Sequence, residues 1–354
     1  MTSSALLSAP SSPDPYPLYA ALRRAHPGGL HHDPTLGLWV ASSAAAVEAV
    51  LRHPGLRVRP PAEPVPNTVA GTPAGAVFGG LMRQNDGPAH TRGKAWATAF
   101  LSGEWPVGGV VRELVAAGVS PRARPLDELL FDAPLRVLWQ LLHGTPAGDG
   151  LAREVRALVA AWSPAADDRT REAGSAAAAA LLDQLQGDAN RVGLFTQTCE
   201  ATAGLMGAVL VALQREPGLR ARWLDDAQLD EPLALEAARH DAPVQNTRRF
   251  APVDVTVHGQ DLKAGEAMLV LLASANRDPA ANPEPDRFDL HRTAPRCYTW
   301  GLGGHACPGA ALSRRIAMAL LRAWHEDDAA GLDAATRRWH HRPSPNGRLA
   351  QFAI

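Results

Sequence analysis

Residues Trp300 to Leu312 read WGLGGHACPGAAL, and this stretch decides the fold. Gly301, Gly303, Gly304 and Gly309 crowd around one thiol, Cys307. Glycine at that density lets backbone approach a flat or bulky group closely. Pro308 follows, then an apolar pattern of helical period running to His325. Proline in a first turn is an ordinary helix start. Cys307 therefore stands at a helix N-terminus, where free N–H groups and the positive dipole end favour thiolate.

On the residues alone, three readings of the segment stay open. The plainest is an inert, buried cysteine beside a glycine-rich turn. The second is a dinucleotide loop, since Gly301 to Ala306 matches G-x-G-x-x-A and Glu326 lies about twenty residues beyond. That reading needs a parallel βαβ unit, and too little strand-like alternation follows Trp339. The third is a thiolate axial ligand to haem iron.

The 354 residues carry 35 Lys+Arg against 36 Asp+Glu, so no charge surplus points to nucleic acid or to a solvating tail. Three cysteines make a disulfide framework improbable and a reducing compartment the default. Met1 to Pro15 is rich in Ser and Pro, with no basic start before an apolar run, so no signal peptide is visible. Apolar stretches such as Ala267 to Ala275 are short for a bilayer. A cytoplasmic protein without membrane or nucleic-acid partner is expected. Helical patterns cover Tyr16 to His26, Ala44 to His53, Pro88 to Phe100, Pro125 to His143, Leu151 to Trp162, Ala176 to Gln186, Arg191 to Arg215, Leu229 to His240 and Pro308 to His325. Arg191 to Arg215 is apolar on nearly every side and reads as a central buried helix. Gly37 to Ser42 reads as a strand, Arg59 to Ala76 as loop, and Val253 to Ala275 as a small β region. With no linker or repeat, residues 1–354 read as one mainly α domain with a small β region (α+β).

The Cys307 segment resembles the haem-binding loop of the cytochrome P-450 family, F-G-x-G-x-H-x-C-x-G. Trp300, Gly301, Gly303, His305, Cys307 and Gly309 fill that pattern, with Trp in place of Phe. Glu236-Ala-Ala-Arg239 resembles the family's E-x-x-R, and Pro285-Asp-Arg287-Phe288 its later P-x-R-F. The resemblance implies that Glu236, Arg239 and Arg287 form a buried structural triad. Asp14 to Tyr19, Leu38-Trp-Val40 and Ala275 to Pro279 also resemble bacterial members, so the likeness spans nearly the whole chain. It implies a helical fold around a buried haem b, with Cys307 as the metal ligand. His90 and Lys94, in a variant of H-x-x-x-R, together with Arg249 and His305, are the implied partners of the haem propionates. Trp300, Gly301 and Gly309 complete the implied cofactor set.

The resemblance falters at the family's A-G-x-(D/E)-T on the central helix. Here Gln197-Thr198-Cys199-Glu200-Ala201-Thr202 stands in its place. The acid remains as Glu200, the alcohol has become Ala201, and Thr198 or Thr202 would have to supply a hydroxyl. Thr198, three residues earlier, shares Ala201's face, whereas Thr202 is turned by about 100°. Either Thr198 replaces the missing hydroxyl, or the chemistry does without it. Between Trp162 and Arg191 there is room for about one helix plus a loop where the family usually has more. A more open pocket, or a partner such as a carrier-bound substrate that completes it, would follow. Pocket walls are expected from Asn67 to Arg83, Trp162 to Ala180 and Ala251 to Val255, which suggest no charged substrate class.

The implied activity is oxidation of a small organic molecule by a haem-thiolate monooxygenase of secondary metabolism. The implied oxidant is dioxygen, with electrons from a ferredoxin or flavoprotein that meets Arg314 and Arg315. Atypical chemistry is the alternative: peroxide use, coupling, desaturation or nitrogen chemistry. A haem protein without turnover is a further one.

Overall fold

The computed structural model describes residues 3–352. From the N-terminus come α1 (Ser3–Ser8), α2 (Tyr16–Ala25), β1 (Leu30–Asp33), β2 (Leu38–Ala41), α3 (Ala44–Arg52), α4 (Pro73–Gly80), α5 (Gly87–Leu101), α6 (Val107–Ala116) and α7 (Leu126–His143). Then follow α8 (Leu151–Ala161), α9 (Asp168–Gln184), α10 (Ala189–Arg215), α11 (Leu219–Asp225) and α12 (Asp230–His240). The β-rich part is β3 (Thr247–Phe250), β4 (Val255–Val257), β5 (Gln260–Leu262) and β6 (Ala267–Val270). After α13 (Leu272–Asn276) come α14 (Ala310–Ala335), β7 (Trp339–His341) and β8 (Ala350–Phe352).

The central helix α10 lies against α7, α12 and α14, with its interior residues from Val192 to Leu213 mostly buried. It is long and apolar enough to cross a membrane by composition, but 78% of that window is buried inside protein. Gly204 and Gly207 let the C-terminal β7–β8 hairpin lie on it, since a Cβ at Gly204 would come within 2.9 Å of Pro243 and one at Gly207 within 3.2 Å of Ala350. The main sheet runs β1-β2-β6-β3, with β2 and β6 parallel through Trp39↔Met268 and β3 antiparallel to β6. Its face packs on α3 through Val47, Val50, Met268 and Val270.

Most expected elements stand within one or two residues of the sequence reading. Three differences have local causes. The stretch read as loop ends in α4, begun by Thr72, whose hydroxyl accepts from Gly75 N–H, and by Pro73 in the first turn. The helix expected to stop at His325 continues to Ala335, but with a break at Asp328 (φ −152°, ψ 73°) whose carboxylate caps Gly331 N–H at 3.0 Å. α9 begins at Asp168, earlier than read, because Asp167 caps Thr170 N–H at 2.8 Å.

The roof is short, as expected, with α9 alone between α8 and α10. Gly174 lets α9 settle onto α8, where a Cβ would lie 2.3 Å from Ala161. Trp162 Nε1 donates to the Ala74 carbonyl at 3.0 Å, and its ring meets Phe78 edge-on. α9 is seated directly on α4 as well as on α8, so the short roof is a packed one.

The scaffold triad also differs from expectation. Arg239 grips Glu236 with two 2.7 Å bonds, both residues being buried. Arg287 is 63% exposed and pairs only with Glu284 and Asp289. The third member is Arg292, whose Nε lies 3.3 Å from Glu236 Oε1. The loop after Phe288 turns back on itself, Asp289 N–H bonding the same carboxylate oxygen at 2.8 Å, and this aims Arg292 inward. Arg287 contributes its carbonyl, which accepts from both Arg239 and Arg292.

Candidate active site

Cys307 is held where the chain turns into α14. Its N–H donates to the Trp300 carbonyl at 2.8 Å, closing a loop whose glycines Gly301 and Gly303 take positive φ (69° and 68°). Gly303 must be glycine twice over, because a Cβ there would also lie 3.1 Å from the Leu51 carbonyl. Gly309 leads into α14 and sits over the sulfur, to which its N–H donates; Trp300 lies under the Arg314 guanidinium at 4.8 Å.

The bases expected around the cofactor converge on this loop. His90 Nε2 faces the Gly304 carbonyl at 3.0 Å and its ring packs on His305, centroids 3.9 Å apart. His305 Nε2 bonds Asp86 at 3.1 Å, and Lys94 Nζ bonds the Ala306 carbonyl. Arg249 is only 7% exposed and, among the described residues, has no carboxylate in salt-bridge contact. Burial pushes its pKa down to about 10, Asp86 opposing and Arg83 adding to the shift.

Cys307 and Arg83 both present accessible surface, yet both are desolvated. Burial pushes the Cys307 thiol up, against Gly309 N–H, Lys94 and Arg83, and lowers the Arg83 guanidinium. Arg83 bridges from the cysteine side to Gln197 on α10, so the two groups line a recess between the Cys307 loop and that helix. The opposite wall is α10, whose half-buried Gln197, Thr198 and Ala201 interrupt an otherwise buried helix at a spacing that shares one face. Thr202 is buried at 1% exposure and lies off that face. Glu200 turns toward the C-terminal hairpin and forms an ion pair with Arg342. Arg342 was not legible as a site residue, because nothing local marks it. Arg314 is pinned by Glu231 at 2.7 Å, so of the two arginines expected to meet a redox partner only Arg315 stands at the surface.

The residues fit haem. Among the described residues no group of three His, Cys, Asp or Glu is placed to hold a bare metal ion, so Cys307 is a single donor suited to iron already held by a macrocycle. The bases beside it outnumber Asp86, and the buried Arg249 lacks a carboxylate in contact, as two incoming propionates require.

Comparison with known proteins agrees. The profile of the family described as Cytochrome P-450 matches residues 235–323. The vitamin D(3) 25-hydroxylase of Pseudonocardia autotrophica is 29% identical, over 85% of this chain and 83% of its own. The cytochrome P-450 monooxygenase PikC of Streptomyces venezuelae is 28% identical, over 95% and 90%. Among solved structures, P-450 BioI in complex with an acyl carrier protein ligated to hexadec-9Z-enoic acid is similar in fold, with a TM-score of 0.81, 20% identity and 99% of each chain covered.

Proposed function

We propose that this chain, similar over most of its length to cytochrome P-450 monooxygenases, is a haem b oxidoreductase of that family, a monooxygenase of secondary metabolism acting on a small organic molecule. Dioxygen is its oxidant, and a ferredoxin or flavoprotein supplies its electrons. The observation that carries the reading is the accessible Cys307 thiol in a glycine-rich loop on which His90, Lys94, Arg249 and His305 converge. The chain acts as one domain over residues 1–354, in the cytoplasm, a placement that rests on likeness to bacterial relatives.

Haem, bound there, supplies the oxidative chemistry, while the protein supplies position and electrostatics. Cys307 would hold the iron through its thiolate sulfur, whose negative charge the Gly309 N–H and Lys94 stabilise. Lys94, His90, Arg249 and His305 would neutralise the propionates and so orient the group. Trp300 carries Arg314 on its face beside this loop. On the opposite wall Thr198 offers a hydroxyl toward the chamber in place of the one Ala201 lacks, and Glu200, held by Arg342, relays protons from the hairpin side. The packed helices α4, α8 and α9 form the roof over the substrate. A carrier-bound substrate is the second reading of what enters, favoured by the acyl carrier protein on the similarly folded P-450 BioI.

The deciding experiment is the reduced, carbon monoxide-bound spectrum of the purified holoprotein beside Cys307→Ala. A thiolate-type Soret band present in the first and lost in the second is expected. Product formed with a reductase and dioxygen then separates an enzyme from a haem binder. A Soret band unaffected by Cys307→Ala removes the assignment.

A further inference from the structure

One cation at the chamber, Arg83, acts on Cys307 and also reaches the central helix. Arg83 lies in the short connection between α4 and α5, and its Nη1 donates to Gln197 Oε1 on α10. The other bases keep to the cysteine side: His90 on the Gly304 carbonyl, Lys94 on the Ala306 carbonyl, His305 on Asp86. Arg83 instead reaches the helix that carries Thr198 and Ala201. Among the described residues it makes no ion pair with a carboxylate. Its guanidinium has five N–H donors, and the bond to Gln197 uses one of them, leaving others for a ligand. A guanidinium facing the chamber without a carboxylate partner is free to pair with an anion that enters.

The chemistry of the pair selects the anion. A guanidinium fork matches the two oxygens of a carboxylate, and the Gln197 amide can turn its NH₂ to the same group. We propose that Arg83 and Gln197 form a subsite for the substrate's carboxylate, so that the substrate class is an organic acid. This rests on the monooxygenase reading above and names its substrate. A haem propionate is a second source of the same chemistry, and the test separates the two.

The holoprotein, with Arg83→Gln, Arg83→Lys and Gln197→Leu, is titrated with dodecanoate and 4-phenylbutyrate and with their methyl esters. Binding is read by calorimetry and by the Soret shift; haem content and the reduced carbon monoxide spectrum are recorded alongside. The expected result is that the wild-type protein prefers at least one acid over its ester by about ten- to hundredfold, the size of a charge-assisted hydrogen bond. Arg83→Gln removes that preference with haem content unchanged; Arg83→Lys keeps part of it, and Gln197→Leu lowers it. Equal binding of every acid and its ester overturns the proposal. So does an Arg83→Gln protein that loses haem but keeps the preference, because the arginine then serves a propionate. A wild-type protein without the thiolate band sinks the monooxygenase reading instead, and calorimetry still reports the acid preference by itself.

Discussion

Glu200, on the central helix, is ion-paired to Arg342, which lies just beyond β7 in the C-terminal hairpin and rests at 5.0 Å on the Phe131 ring. The acid next to the reaction chamber is thereby tied to the last β element of the chain. Arg342→Gln frees the carboxylate, and a mis-set proton relay then diverts electrons to peroxide. The ratio of peroxide to product is expected to rise severalfold, and Arg342→Lys to recover part of it. Both partners are partly exposed, so stability should change by less than about 1 kcal/mol. A peroxide ratio that does not move separates Glu200 from proton supply.

Thr198 and Ala201 share the chamber face of α10, and only one carries a hydroxyl. Thr198→Ala is expected to raise the peroxide fraction and slow product formation by about ten- to hundredfold, the lower range for a lost proton-transfer group. Ala201→Thr in the Thr198→Ala background is expected to restore coupling. If Thr198→Ala is fully coupled, no hydroxyl of this helix is needed. Thr202→Ala, buried off that face, should act on stability alone.

Glu236, Arg239 and Arg292 form the scaffold triad, whereas Arg287 is at the surface. Arg292→Ala leaves a buried carboxylate short of a partner and is expected to cost up to about 3 kcal/mol, with Glu236→Ala, which strands Arg239, at about 3–5 kcal/mol. Arg287→Ala should stay within about 0.5 kcal/mol. Urea midpoints of the three holoproteins check the order, and equal losses for Arg287 and Arg292 refute it.

Gly174 allows α8 and α9 to touch. A Cβ there would meet Ala161 Cβ at 2.3 Å and the Ala157 carbonyl at 2.7 Å. Gly174→Ala is therefore expected to destabilise by about 1–3 kcal/mol despite alanine's better helix propensity. Thermal melts give the cost. An increase in Tm would show that the roof helices have slack.

Burial holds the His341 ring neutral, and Arg348 adds to the effect, pushing its pKa down to about 4 from 6.5. His240 behaves alike, through burial and then Arg277. Between pH 6.5 and about 4 the unfolded chain binds protons that the folded chain refuses, so stability falls as pH falls through that window. Urea midpoints at pH 7.5 and 5 should differ more for the wild-type protein than for His341→Gln. Identical pH dependence would show that His341 does not carry it.

The sequence by itself determined the elements whose signals are local. Cys307 with its glycines and Pro308, the i,i+3 pair of Glu236 and Arg239, and the all-round apolar α10 each lie within a few turns of chain. Helix caps and apolar periods are short-range effects, so they can be read before folding. Only the tertiary structure decided which distant side chains meet. Arg83 and Gln197 are separated by 114 positions and Glu200 and Arg342 by 142, and no periodicity links them. Arg292 displaced Arg287 from the triad because a loop folded back on Glu236, a matter of backbone path rather than motif. The packed roof likewise followed from how near α9 could come to α4 and α8, which is set by packing and by one missing Cβ at Gly174.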